Sequence, residues 1–208
     1  MNSTSTNPTR MTRRRLETRA RLTAATLGLL IDKGVDRTTM DAITEAADLG
    51  RRTLYYHFDS KEACIVAAVA SVYADHAALA DESNLPDEDP ADVIARNSQR
   101  VIAGILSEPV TASLVGSPRI LAAAIKEATA EFARRDVNRG VASGRFRTVV
   151  AEDIVDRILV WALVGLLIES AEGSIKKRET QVAYAVLVLV NLGLSGDEAR
   201  AIAESVAV

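Results

Sequence analysis

Residues 34–62 read GVDRTTMDAITEAADLGRRTLYYHFDSKE, two short helical segments parted by a turn of three residues. Gly34 stands just past a periodic segment, where a helix C-terminus calls for the left-handed conformation that glycine takes freely. Thr38 or Thr39 is placed to cap a helix through Ala47, and Thr38-x-x-Asp41 has the form of a capping box. Asp48-Leu49-Gly50 is the turn. The second helix, Arg51 to Phe58, carries Leu54 and Phe58 on one face, which assigns both to packing. Tyr55 and Tyr56 are adjacent on a helix and cannot both point inward, so at least one is exposed. Asp59 or Ser60 caps a long helix reaching about Ala80. The layout is that of a helix-turn-helix, whose second helix enters the major groove of DNA.

The residue types suit that task. Arg51 and Arg52 open the second helix, where base edges are reached, and arginine pairs bidentately with guanine O6 and N7. Thr53 offers a hydroxyl to a base or a phosphate. Tyr55, Tyr56 and His57 carry polar tips on flat rings, suited to phosphates and to thymine methyls. Lys61 lies at the start of the next helix, whose free N–H groups attract phosphate. Upstream, Arg13-Arg14-Arg15 is either a solvated helix face or an arm for phosphates and the minor groove.

This stretch resembles the DNA-binding domain of the TetR/AcrR family of one-component repressors. The family's landmarks are held here by Arg19, Gly34-Val35, Thr38-Thr39, Ile43-Ala46-Ala47, Leu54-Tyr55-Tyr56-His57-Phe58 and Ser60-Lys61-Glu62, so the likeness covers about residues 16–65. Two departures stand out. The family usually has Gly at the place of Asp48 and Ser or Thr at that of Gly50, and Arg52 replaces a small residue. Glycine as N-cap costs only a few tenths of a kcal/mol, roughly, relative to serine, so the second helix is expected to survive. The resemblance implies an all-α chain: an N-terminal three-helix domain with a helix-turn-helix, then a C-terminal helical ligand-binding and dimerisation domain. It also implies a homodimeric repressor, released from a palindromic operator by a small-molecule effector. Arg14, Arg15, Thr39, Arg51, Arg52, Thr53, Tyr55, Tyr56, His57 and Lys61 are its expected DNA contacts.

The rest of the 208 residues agrees. The composition is 48% hydrophobic but only 4% aromatic, rich in Ala, Val, Leu and Ile, which favours helices over strands. The net charge of −3 is unevenly spread: residues 1–21 hold six Arg against one Glu, while the chain beyond residue 62 is acidic. Only one end is therefore built to meet a polyanion. Cys64 is the only cysteine and His57 and His76 the only histidines, too few for a four-ligand zinc site. No metal or cofactor is expected. The N-terminus shows no signal peptide, and the apolar run Ile158 to Ile168 falls well short of the ~20 residues of a membrane span, so a cytoplasmic protein is expected. No nucleophile elbow, P-loop or dinucleotide fingerprint occurs, so no enzyme is expected.

Periodicity predicts helices at about 13–33, 38–47, 51–58, 60–80, 91–107, 118–142, 150–172 and 177–193. A shorter segment lies between Pro109 and Gly116, and a last helix starts at Ser195, where Ser195-x-x-Glu198 again fits a capping box. In the first helix the apolar stripe reads Leu16, Ala20, Ala24, Leu27 and Leu30/Ile31. Residues 1–12 read as a disordered arm, 13–60 as the DNA-binding domain and 61–208 as the effector and dimerisation domain. Asp87-Glu88-Asp89 reads as a solvated loop, and Cys64 as a small buried residue. The helices at 150–172 and 177–193 are apolar around most of their circumference, more than one chain can bury. Ile158, Trp161, Leu166, Val186 and Val190 are therefore expected at a dimer interface. Tyr73, His76, Phe132 and Trp161 are candidate ligand contacts, though such residues are more often plain core. Two other readings compete: a constitutive or architectural DNA binder, which a filled C-terminal cavity would favour, and a helical enzyme carrying a vestigial motif.

Overall fold

Ten helices follow one another in the computed structural model, which describes residues 10–85, 87–147 and 152–206, and no strand occurs among them. The chain divides into two compact units, one ending at Ala68 and one beginning at Val69, with the division falling inside the long fourth helix.

In the first unit, α1 (Arg10–Arg37) is interrupted at Gly34, whose φ of +74° and ψ of 177° end the helix proper. Arg10, Met11 and Thr12 are already helical, so that part of the expected arm is corrected; the remainder lies outside the described residues. The stripe expected on α1 is also corrected. The buried face is Leu22, Thr26, Leu29 and Leu30, while Leu16 and Ile31 are 57% and 53% exposed. The reason is Thr26. Its hydroxyl donates to the Leu22 carbonyl (2.8 Å) and lies 3.2 Å from Cys64 Sγ, so a polar residue sits in the core with its bonding satisfied.

α2 (Met40–Ala46) is capped by Thr39, whose hydroxyl accepts from the Ala42 N–H at 3.1 Å. Thr38 is instead buried and donates to the Gly34 carbonyl (2.8 Å), so Thr38 is not the cap and the box at Thr38-x-x-Asp41 does not form. α3 (Arg51–His57) begins at Gly50 without a side-chain cap. α4 (Lys61–Asp81) begins at Ser60, whose hydroxyl accepts from the Ala63 N–H at 3.0 Å. Leu22, Leu29, Ile43, Ala47, Leu54, Phe58, Cys64 and Ala67 form the core of this unit.

The second unit holds the rest of α4 with α5 (Pro90–Ser107), the short α6 (Pro109–Ala112), α7 (Pro118–Ala142), α8 (Glu152–Ala171), α9 (Lys177–Asn191) and α10 (Gly196–Ser205). α5 is its axis, packed against α7, α9 and α10. Ala91, Ile94, Ala95, Phe146, Ala185 and Leu189 meet in its core. Gln99, buried on α5, donates to the Ala203 carbonyl of α10 at 2.7 Å. At α10, Ser195 accepts from the Glu198 N–H at 3.2 Å, as the spacing predicted. The acidic loop is tied down rather than merely solvated: Glu88 pairs with Arg96 at 2.7 Å, and Asp89 caps Ala91 and pairs with Arg145 at 2.9 Å. By length and composition α4 would cross a membrane, but half of that apolar window is packed inside the protein.

Candidate functional site

The corner between α2 and α3 is drawn by Asp48, whose φ of +50° is left-handed, the conformation that glycine supplies more cheaply. Asp48 therefore does the work of the glycine usual at that place, and Gly50 moves on to cap α3. Arg21 of α1 reaches this corner and donates to the Ala47 carbonyl at 2.7 Å.

α3 buries Leu54, with Phe58 just beyond it, and turns its two arginines and two tyrosines outward. Tyr55 is 57% and Tyr56 69% exposed, so both tyrosines face solvent, in keeping with the expectation of at least one. Arg51 and Arg52 are exposed, and Thr53 and His57 half-buried. Arg51 is not loose: its guanidinium donates to Asp41 Oδ2 of α2 at 2.5 Å, which holds it at the helix start with its other N–H groups unspent on that carboxylate. Tyr56 is flanked by the His57 ring, edge-on at 5.3 Å, and by the Arg15 guanidinium at 5.6 Å. Arg19 lies over the Phe58 ring at 4.5 Å. Arg14 is exposed on the same helix as Arg15, and Thr39 is exposed at its cap position. Burial, with Arg15 and Arg19 nearby, pushes the His57 imidazole below its usual value. Lys61 donates to the Val35 carbonyl at 3.3 Å, bracing the turn after α1. The result is a patch of guanidinium groups and phenols over a packed base, suited to phosphates and base edges. Cys64 is sealed, its thiol pushed up by burial.

The second unit holds a cavity of about 360 Å³ between α5, α7, α8 and α9, with walls of Ile102, Ile125, Phe132, Val137, Leu163 and Val188. Among the four candidate ligand contacts only Phe132 lines it. Tyr73 is buried elsewhere, bonded to the Thr111 hydroxyl at 2.8 Å, and burial pushes its phenol up to about 12. His76 pairs with Glu108 at 2.7 Å. Trp161 points outward, 50% exposed. Sequence reasoning missed the polar lining, Asn97, Thr129, Asp136 and Tyr184. The available signal was a polar residue interrupting an apolar helix face, as Asn97 does between Ile94 and Val101. Burial, and Asp156, push the Tyr184 phenol above its usual range.

On α8, Ile154, Ile158 and Trp161 are exposed at helical spacing, and Val190 is exposed on α9. Leu166 on α8 and Val186 on α9 are half-buried. Among the described residues no cluster of His, Cys, Asp and Glu is arranged to hold a metal.

Comparison with known proteins gives two family matches: bacterial regulatory proteins of the tetR family over residues 22–68, and a tetracyclin repressor-like C-terminal domain over residues 89–205. The HTH-type transcriptional regulator TtgR of Pseudomonas putida is 37% identical over 72 residues, 35% of this chain and 34% of that protein. The probable HTH-type transcriptional regulator ArpR of Pseudomonas putida matches to the same extent. The match thus spans about a third of the length of these curated relatives. Among solved structures, RolR in complex with resorcinol is similar with a TM-score of 0.69 and 24% identity, over 92% of this chain and 95% of that one. Thermus thermophilus FadR, a TetR family transcriptional repressor in complex with lauroyl-CoA, gives 0.65 and 17%, over 85% and 96%. At such identities the likeness to these two structures is one of fold.

Proposed function

The chain belongs to the tetR family of bacterial regulatory proteins, and on that premise we propose that it is a sequence-specific DNA-binding transcriptional regulator, a repressor released from a palindromic operator by a small-molecule effector. The observation that carries this reading is the outward pair Tyr55 and Tyr56 on α3, set beside Arg51 and Arg52. Large apolar side chains exposed side by side mark an interaction surface more often than one exposed singly does. Arg51, Arg52 and Thr53 read bases, while Arg14, Arg15, Thr39, Tyr55, Tyr56, His57 and Lys61 hold the phosphate backbone. Lys61 keeps donors to spare after bonding Val35.

One such motif contacts too few bases for selective binding, so the protein acts as a homodimer. The exposed apolar residues of α8 and α9 support that pairing, with Ile158, Trp161, Leu166, Val186 and Val190 at the interface. The cavity supports an effector over a purely architectural role, since RolR and FadR each hold a small molecule on the same fold. α4 is the coupling element: its first turn carries Lys61 and its later turns carry Ala77, which lines the cavity. A coupling of about 1–3 kcal/mol is typical for such regulation. The protein works in the cytoplasm, as a binder rather than an enzyme, and needs no cofactor.

The test is a gel shift with the full chain on the DNA immediately upstream of its own gene. Tyr56→Ala is expected to weaken binding to all sequences alike. Arg51→Ala is expected to relax base preference, by about 1–3 kcal/mol at the contacted position. Identical behaviour of the two variants would refute this division of roles.

A further inference from the structure

Arg51 and Arg52 are adjacent and exposed on α3, yet only one of them is tethered. The Arg51 guanidinium donates through one terminal nitrogen, Nη2, to Asp41 Oδ2 at 2.5 Å, and both side chains are more than half exposed. Arg52 makes no ion pair or side-chain hydrogen bond among the described residues. Asp41 sits in the first turn of α2, two residues after the capping Thr39, so the link crosses from one helix of the motif to the other. Capping does not explain it, since Thr39 already accepts from the Ala42 N–H. An acidic residue in that turn suits the helix dipole, but the dipole does not call for an arginine from the next helix.

A carboxylate at this place is also repelled by a duplex, which carries one negative charge per roughly 1.7 Å of its axis. What the pair does is confine Arg51. One N–H of Nη2 is engaged, and the second, with those of Nη1, remains to face guanine O6 and N7. While bonded to Asp41 the guanidinium is kept from the phosphate backbone, which attracts it alike at every sequence.

We propose that Asp41 is a positioning residue for base recognition: it holds Arg51 toward base edges and away from phosphates, raising selectivity and lowering non-specific affinity. This rests on reading Arg51 as a base contact. An exposed pair contributes little to folding in water. A duplex that closes over the pair removes water from it and strengthens it.

The test compares the full chain as wild type, Asp41→Asn, Arg51→Ala and the double variant. Each selects from a pool of randomised duplexes, and its affinity for one scrambled duplex is followed against salt concentration. Asp41 is exposed and asparagine matches its size, so the fold is expected to persist, which circular dichroism checks. The base whose preference disappears in Arg51→Ala marks the Arg51 contact. There Asp41→Asn is expected to reduce discrimination at least about threefold, with other positions unchanged. On the scrambled duplex Asp41→Asn should bind more tightly, its salt slope steeper by roughly 0.9, for one more phosphate neutralised. The double variant should match Arg51→Ala in both selectivity and slope.

Undiminished discrimination in Asp41→Asn would overturn the proposal and leave the reading of Arg51 standing. A slope as steep in the double variant as in Asp41→Asn would overturn it too, because loss of charge alone would then suffice. So would a further change of preference on adding Asp41→Asn to Arg51→Ala, since the carboxylate would itself touch a base. Should the wild type enrich no sequence, or Arg51→Ala enrich the same ones, the base-reading role of Arg51 falls first and the proposal with it.

Discussion

Asp48 shows how one residue can hold a motif in an unusual way. A left-handed backbone costs a residue with a Cβ about 1–2 kcal/mol, less for Asp than for most, and its ion pair with Arg21 is long and exposed. Asp48→Gly is therefore expected to stabilise the N-terminal unit by up to about 1 kcal/mol in urea unfolding, and Asp48→Val to destabilise it. A lower midpoint for the glycine variant would mean that the side chain contributes more than its backbone costs. His57 gives a pH dependence. Its folded pKa lies below the unfolded value of about 6.5, because burial and two arginines oppose its charge. The unfolded chain therefore binds the proton first. Stability is full above about pH 6.5 and is lost as the pH falls through the folded value. The urea midpoint should drop over that interval in the wild type, and His57→Gln should drop less. An equal drop in both would exclude His57 as the source.

The elements were legible to different degrees. α2, α3 and the corner between them could be read because each depends on local chemistry: a threonine cap, a tight turn, and alternation of Leu54 and Phe58 with polar neighbours. The face of α1 could not. Thr26 looks polar in the sequence, and only its bonds to Leu22 and Cys64 make it a core residue. For the candidate site, the basic and aromatic residues of α3 were legible because they are contiguous. The cavity was not, because Asn97, Asp136 and Tyr184 lie on three helices and meet only through packing. Packing likewise explains Tyr73. Its hydroxyl donates to Thr111, which itself donates to the Ile105 carbonyl at 2.6 Å, tying α4 to the α5–α6 corner. Thr111→Val is expected to cost about 1–3 kcal/mol by stranding the Tyr73 hydroxyl, and Tyr73→Phe less. Chemical denaturation of the two variants checks the order; a reversed order would mean that the Tyr73 hydroxyl has another partner.

For the whole molecule, the exposed Ile154, Ile158 and Trp161 on α8 are the features that a single chain leaves unexplained. Trp161→Glu is expected to give a folded monomer by sedimentation, with unchanged helix content and an operator affinity at least about a hundredfold weaker, since two linked half-sites become one. A variant that stays dimeric would move the interface elsewhere. In the proposed complex two α3 helices meet one duplex. Hydroxyl-radical footprinting of the wild-type chain on the DNA upstream of its gene tests this directly. Two protected stretches related by a dyad, about 34–36 Å apart or a multiple of that, are predicted. Their loss in the Tyr55→Ala, Tyr56→Ala double variant is predicted with them. A single protected stretch, or protection that survives the double variant, would contradict it.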